Sequence, residues 1–239
     1  MSLNPKALFA KGQEIRVHWL KYLLTRSGEN LSPKTILNLR AAVNYLELGQ
    51  WMRSKGYKLK HRVDRREKLF DMVGAQVGGR DVLYLEFGVW RGDATRYWSR
   101  LLRNPKSKLH GFDSFEGLPE NWNSTAKGGF SVGGRVPEIE DARVRFFKGW
   151  FEQTLPHYEL PAHEVLVLNF DADLYSSTSL ALKTVREAIV PGTYLYFDDF
   201  NQPLHEVRAF DEFVEETKMK FELLGATRTL GNVLFQCTG

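Results

Sequence analysis

From residue 81 to the carboxyl terminus, short apolar runs alternate with stretches of helical period, the pattern of a parallel sheet covered by helices. Strands are expected near residues 81–87, 108–112, 143–147, 164–170 and 192–198, with a closing edge pair near 219–224 and 232–237. Helices fit residues 93–103, 150–158, 175–189 and 204–217. The first 80 residues differ. Leu8, Ile15, Trp19, Leu20 and Leu23 recur at near-helical spacing over residues 5–26. Ser32 and Pro33 open a second helix carrying Ile36, Leu37, Val43, Leu46 and Trp51, and Asp64 with Glu67 resembles a capping box ahead of Leu69, Phe70 and Val73. The expected organisation is a helical appendage over residues 1–80, serving as lid or dimer interface, and an α/β domain over 81–239 with a mostly parallel, seven-stranded, Rossmann-like sheet. Residues 114–142 are polar and glycine-rich, too long for an idle connection, and read as a mobile loop over the site.

Composition changes this picture little. An apolar content of 43% and a charged content of 26% are ordinary for a globular chain, and a single cysteine, Cys237, excludes an internal disulfide. No run approaches the roughly 20 apolar residues of a membrane helix, so no membrane partner is expected and the cytoplasm is the default location. Charge is more informative. Residues 1–66 carry +10 and residues 67–239 carry −6, so a basic front precedes an acidic body. A solvated helical face explains this more simply than a nucleic-acid partner, which is therefore not expected.

Candidate chemistry begins at LYLEFGVWRGDAT, residues 83–95, a buried strand running into a glycine turn that opens a helix. Gly88 and Gly92 keep the backbone bare, and Glu86, with Thr95 at the end of the stretch, accompanies the turn. The spacing lacks the third glycine of the dinucleotide fingerprint, which favours S-adenosylmethionine over NAD. After the second strand, GFDSFEGLPE puts Asp113 and Ser114 where an acid takes ribose hydroxyls, and Gly149 with Trp150 offers an adenine contact. NFDADLYSST and YFDDF place Asp171, Asp173, Asp198 and Asp199 at carboxyl ends of strands. If those strands are neighbours the carboxylates converge, and a hard cation, magnesium before zinc, relieves the repulsion; helix capping is the bland alternative. His205 is a possible acceptor-side contact, although histidines near helix starts more often cap or face solvent.

Together, LYLEFGVWRGDAT, GFDSFEGLPE, FFKGWFEQTLP, DADLYSST and PGTYLYFDDF resemble the macrocin O-methyltransferase family over residues 81–215. The resemblance implies a class I methyltransferase fold, magnesium dependence and methylation of a hydroxyl, often on a sugar of a natural product. It further implies that Asp171, Asp198 and Asp199 hold the metal, that Asp171 also borders the cofactor, and that Asp173 is the base. The chain departs from the family pattern at FNQPLHEVRAFDEF, on the acceptor side. The expected partner is a small-molecule acceptor, a glycoside or glycan, with a homodimer possible. Competing readings are a metal-independent methyltransferase acting on nucleic acid or another acceptor, and a non-catalytic cofactor-binding protein.

Overall fold

A computed structural model describes the backbone from residue 5 and the side chains from residue 17 to the end of the chain. The chain divides into two compact units, residues 1–46 and 47–239. The first contains α1 (Pro5–Gly28) and most of α2 (Pro33–Lys55), and it exposes Trp19, Leu20 and Leu24 of α1 and Leu37, Val43 and Leu46 of α2. None of the described helices is long and apolar enough to cross a membrane.

The second unit is built on one sheet. Its strands are β1 (His61–Val63), β2 (Val82–Phe87), β3 (Lys108–Asp113), β4 (Val144–Lys148), β5 (Val165–Phe170), β6 (Tyr194–Phe197), β7 (Phe221–Thr227) and β8 (Val233–Cys237). They lie in the order β1-β7-β8-β6-β5-β2-β3-β4, with β8 antiparallel to both neighbours and every other pairing parallel. The fold is therefore the α/β, Rossmann-like class that the sequence predicts, with eight strands in place of seven. The extra one is β1, which pairs with β7 and makes β1, not the β7–β8 pair, the edge.

This strand also moves the front boundary. The sequence reading carries the helical appendage through residue 80, whereas the compact units part between Leu46 and Glu47. Residues 47–80 are held to the sheet by β1, by the buried Leu48 and by α3 (Glu67–Val77), which buries Leu69, Phe70, Val73 and Val77. Alternation along the strands sends Val82, Tyr84, Val167 and Tyr196 to one face, with α3 and α4 (Asp93–Leu101). Leu83, Leu85, Leu168 and Leu195 go to the other, with α6 (Tyr175–Val185) and α7 (Glu206–Thr217); α5 (Phe151–Thr154) joins them through Phe151.

Five phenylalanines set the level of the site. Phe147, Phe112, Phe87, Phe170 and Phe197 stack across β4, β3, β2, β5 and β6, with ring centroids 4.8, 5.5, 5.2 and 4.9 Å apart and planes 13 to 15° from parallel. Register pairs them directly, so the residue after each stands at one height along the carboxyl edge. Those residues include Gly88, Asp113, Asp171 and Asp198. Between β2 and β5 the strand order also reverses, and open α/β sheets bind ligands at that crevice.

Candidate functional site

A cavity of about 370 Å³ opens over this edge. Its acidic lining comprises Glu86, Asp93, Asp113, Glu152, Asp171, Asp173, Asp198 and Asp199, and its one cationic lining residue is Arg66. Of the predicted cofactor residues, Glu86, Gly88, Asp113, Ser114, Gly149, Trp150 and Asp171 border it, while Gly92 and Thr95 do not, and neither does His205, read as an acceptor-side contact.

Close packing explains the glycine turn. Gly88 has φ of +90°, and a Cβ there would lie 1.8 Å from the carbonyl oxygen of Asp171. The bare backbone lets the end of β2 press against the end of β5. Gly92 has φ of +78° and caps α4, and a Cβ on it would meet Pro137 of the following loop, so its role is to seat that loop. Glu86 is buried at 1% exposure, and its Oε2 accepts hydrogen bonds from the hydroxyls of Thr95 and Tyr84. Burial pushes its carboxyl up to about 8, against those two hydrogen bonds. Thr95 thus acts on Glu86 from behind the cavity.

Asp113 braces the turn. Its Oδ2 accepts from the backbone N–H of Val89 and of Trp90, both at 2.8 Å, and its Oδ1 accepts from Phe115 N–H at 2.7 Å. Oδ2 is thereby filled, and Oδ1 keeps one lone pair for a ligand hydroxyl. Ser114 is tied within its own turn, accepting from Glu116 N–H. Gly149 follows β4 and donates its N–H to the Asp113 carbonyl.

The aspartates divide differently from the sequence reading. Carboxylate oxygens of Asp171, Asp173 and Asp199 lie within 4.8 Å of one another, and Asp173 hydrogen-bonds Asp199. Asp198, read as a metal ligand, is engaged elsewhere: its Oδ1 accepts from Arg66 Nη1 at 3.1 Å, from Asn232 Nδ2 at 2.8 Å and from the Tyr196 hydroxyl. Arg66 also stands 3.6 Å from Asp171. Asp173, read as the base, also stands in the three-carboxylate group, which it reaches with a left-handed φ of +60°. Burial, reinforced by Asp198, Asp173 and Asp199, pushes the Asp171 carboxyl well up, while Asp173 is raised to about 8 and Asp199 to about 6, again chiefly by burial. Oxygen donors this crowded and this reluctant to ionise suit a hard divalent cation. Arg66 opposes that charge with a guanidinium that burial disfavours and Asp198 and Asp171 favour, for a net rise in its pKa.

Beneath the cluster, the buried Glu206 accepts the Asp199 N–H at 3.0 Å. His205, next to it, packs its ring 6.5 Å from Trp122, a lining residue. The loop read as mobile is folded: Leu118 donates its N–H to the Gly129 carbonyl and accepts from Gly128, Phe115 accepts from Val132 and Gly134, and Glu120 accepts from Ser176 at 2.7 Å. Its glycines serve close approach, since a Cβ on Gly117 would lie 2.3 Å from the Gly129 carbonyl.

Comparison with known proteins gives this arrangement a context. Residues 135–228 match the macrocin-O-methyltransferase (TylF) family. The 8-demethyl-8-(2,3-dimethoxy-alpha-L-rhamnosyl)-tetracenomycin-C 4'-O-methyltransferase of Streptomyces olivaceus is 29% identical over 141 residues, 48% of this chain and 52% of that protein. This chain thus spans about half the length of that relative. The demethyldecarbamoylnovobiocin O-methyltransferase of Streptomyces niveus is 28% identical over 191 residues, 71% of each chain. In fold, the calicheamicin methyltransferase CalS11 superposes over 99% of this chain and 94% of its own, with a TM-score of 0.57 and 18% identity. The chain is thus similar to the macrocin-O-methyltransferase (TylF) family over residues 135–228, and its sheet has the fold of CalS11.

Proposed function

We propose that this protein transfers a methyl group from S-adenosylmethionine to a hydroxyl of a sugar, glycoside or similar natural product, with help from a divalent cation, magnesium first. The observation that carries this is the meeting, in one cavity at the sheet's switch point, of a glycine turn and a three-carboxylate cluster. The family match and the relatives' acceptors, a rhamnosyl-tetracenomycin and a novobiocin precursor by name, support the choice of acceptor.

Gly88, Asp113, Ser114, Gly149 and Trp150 would hold the cofactor, with Asp113 toward the ribose and Trp150 toward the adenine. Bound there, S-adenosylmethionine would supply an activated methyl group, its carbon–sulfur bond breaking as the acceptor oxygen bonds to the carbon. Asp171, Asp173 and Asp199 would hold the cation, which supplies Lewis acidity that makes a hydroxyl easier to deprotonate. The chain's own work is orientation and proton transfer. Asp173, whose hydrogen bond to Asp199 holds a proton between the pair, would give that proton up as the cation binds and then accept the hydroxyl proton in its place, shared again with Asp199. Arg66 holds Asp198 and steadies Asp171, keeping the cluster's geometry when the proton arrives. The cavity walls bring both partners together, the largest available contribution to such an in-line displacement.

Calorimetry with S-adenosylhomocysteine and with NAD tests the cofactor reading. Binding of S-adenosylhomocysteine alone is expected; binding of NAD with no response to S-adenosylhomocysteine would overturn it.

A further inference from the structure

The two front helices lack the packing that a helix normally depends on. Isolated helices are marginal in water, and most helical stability in proteins comes from burying an apolar face. Yet every residue of α1 from 17 to 27 is exposed, and along α2 from 33 to 47 only Ile36 and Asn44 are even partly covered. The exposed side chains are not those of a solvated helix. Trp19, Leu20, Leu23 and Leu24 of α1 are 52 to 63% exposed, and Leu39, Val43 and Leu46 of α2 are 50 to 70% exposed.

Helical period sorts these positions. In α2, Leu39, Val43 and Leu46 recur at i, i+4 and i+7 and form one stripe. Leu48 and Trp51 fall on the other side of the helix, and both are held: Leu48 is buried, while Trp51 packs its ring 5.4 Å from that of Phe200 and donates its Nε1–H to Asp211 at 3.2 Å. So α2 is anchored at its end and bare along its stripe. In α1, at ~100° per residue, the apolar side chains from Val17 to Leu24 spread over roughly 200° of the circumference. A helix facing a single surface needs a stripe of only about 100°, so this one has room for neighbours on two sides, as in a bundle.

Area and self-complementarity point to a second copy. At roughly 100 Å² apiece, the exposed apolar side chains of α1 and α2 offer on the order of 1,000 Å² per chain. The largest apolar patch of a monomer is ordinarily about 300–600 Å², and a standard interface takes about 800 Å² from each partner. Each copy carries the same stripes, so a two-fold axis can set them against one another. A membrane surface fits less well, because it takes a helix whose cations all lie opposite the apolar face. Arg26 instead falls inside the apolar arc of α1, where its Nη1 donates to the Tyr22 hydroxyl at 3.0 Å.

We propose that the apolar stripes of α1 and α2, within residues 17–46, are the interface of a homodimer in which the front helices of two copies pack into a shared bundle. Of the two roles expected for these helices, lid or dimer interface, this assigns the second. The interface lies outside the transfer chemistry and does not depend on it. Residues 1–46 carry seven Lys and Arg against two Glu, so the two front units repel and added salt should tighten their association.

Sedimentation of the full chain across nanomolar to micromolar concentrations, with hydrogen exchange read by mass spectrometry, tests the proposal. A dimer is expected, with a dissociation constant that falls as salt rises. The double variant Val43→Glu, Leu46→Glu should raise that constant more than about 100-fold, the size of two lost aliphatic contacts. Leu46→Met, close in volume, should keep the dimer. Exchange within residues 17–46 should quicken on dilution, while β2 and β5 stay protected in wild type and double variant alike, which separates loss of the interface from loss of the fold. A monomer at every concentration, a dimer indifferent to the two glutamates, or front-helix exchange indifferent to dilution would each overturn the interface. So would a chain that stays monomeric and floats with phosphatidylglycerol vesicles.

Discussion

Replacing Asp113 by Asn separates two jobs that this residue can do. A ribose contact matters only when cofactor is bound, whereas the three backbone N–H groups at 2.7 to 2.8 Å depend on Asp113 at all times. An amide offers one acceptor oxygen. If that oxygen stays with Val89 and Trp90, the NH2 group faces the Phe115 N–H, donor against donor; the reverse rotamer leaves two donors without acceptors. One charge-assisted hydrogen bond is therefore lost, the other two become neutral, and a partly buried donor is orphaned. Hydrogen bonds to charged groups contribute about 1.5–3 kcal/mol each and an orphaned donor costs about 1–3 kcal/mol, so a loss of roughly 2–4 kcal/mol follows. Asp113→Ala removes all three partners and should cost at least as much. Urea unfolding followed by circular dichroism, with no cofactor present, reads this directly. An unchanged midpoint in Asp113→Asn would refute the bracing role, and weakened S-adenosylhomocysteine binding in the same sample would return Asp113 to the ribose alone.

Three further outcomes follow from the geometry. Gly88→Ala should destabilise the fold by more than about 3 kcal/mol, because the methyl lands 1.8 Å from the Asp171 carbonyl at a φ of +90°; a melting temperature equal to wild type would contradict the close approach. In manganese titrations followed by electron paramagnetic resonance, Asp199→Asn should lose more than about 100-fold in affinity and Asp198→Asn only about tenfold. Equal losses would mean that Asp198 leaves Arg66 to ligate the metal. Burial lowers His110 from 6.5 to about 4, so its neutral form is favoured in the folded state. The stability this reflects is complete above pH 6.5 and declines as pH falls toward 4, and His110→Gln should flatten that part of the urea-midpoint profile relative to wild type; parallel profiles would show that His110 is not responsible.

The carboxyl edge was legible because each element of it is local: an apolar run, then a phenylalanine, then Gly88, Asp113, Asp171 or Asp198. Parallel register turns that repeated local pattern into one row, and the stacked phenylalanines hold it level. Arg66 was not legible. It sits in a run of charges, DRREK, that reads as solvent-facing, and its partner Asp198 is 132 positions away. Nor was β1, whose three residues, His-Arg-Val, show no apolar alternation and become a strand only by pairing with β7. The division of labour among the aspartates turned on a single torsion. Asp173 does lie with Asp171, as an extended chain would place it, but it gets there through a left-handed turn that also brings it to Asp199. Residues 114–142 misled in the opposite sense, since glycines that suggest mobility in a sequence here permit close backbone packing.

The most direct test of the account is methyl transfer itself. The protein is incubated with S-adenosylmethionine carrying a labelled methyl group, magnesium and a panel of neutral glycosides, and each acceptor is analysed by mass spectrometry with and without EDTA. The account predicts one labelled methyl on a sugar hydroxyl, one equivalent of S-adenosylhomocysteine formed, and loss of both on chelation and in Asp173→Asn, with S-adenosylhomocysteine still bound by that variant. Transfer that continues undiminished in EDTA and in Asp173→Asn would contradict it.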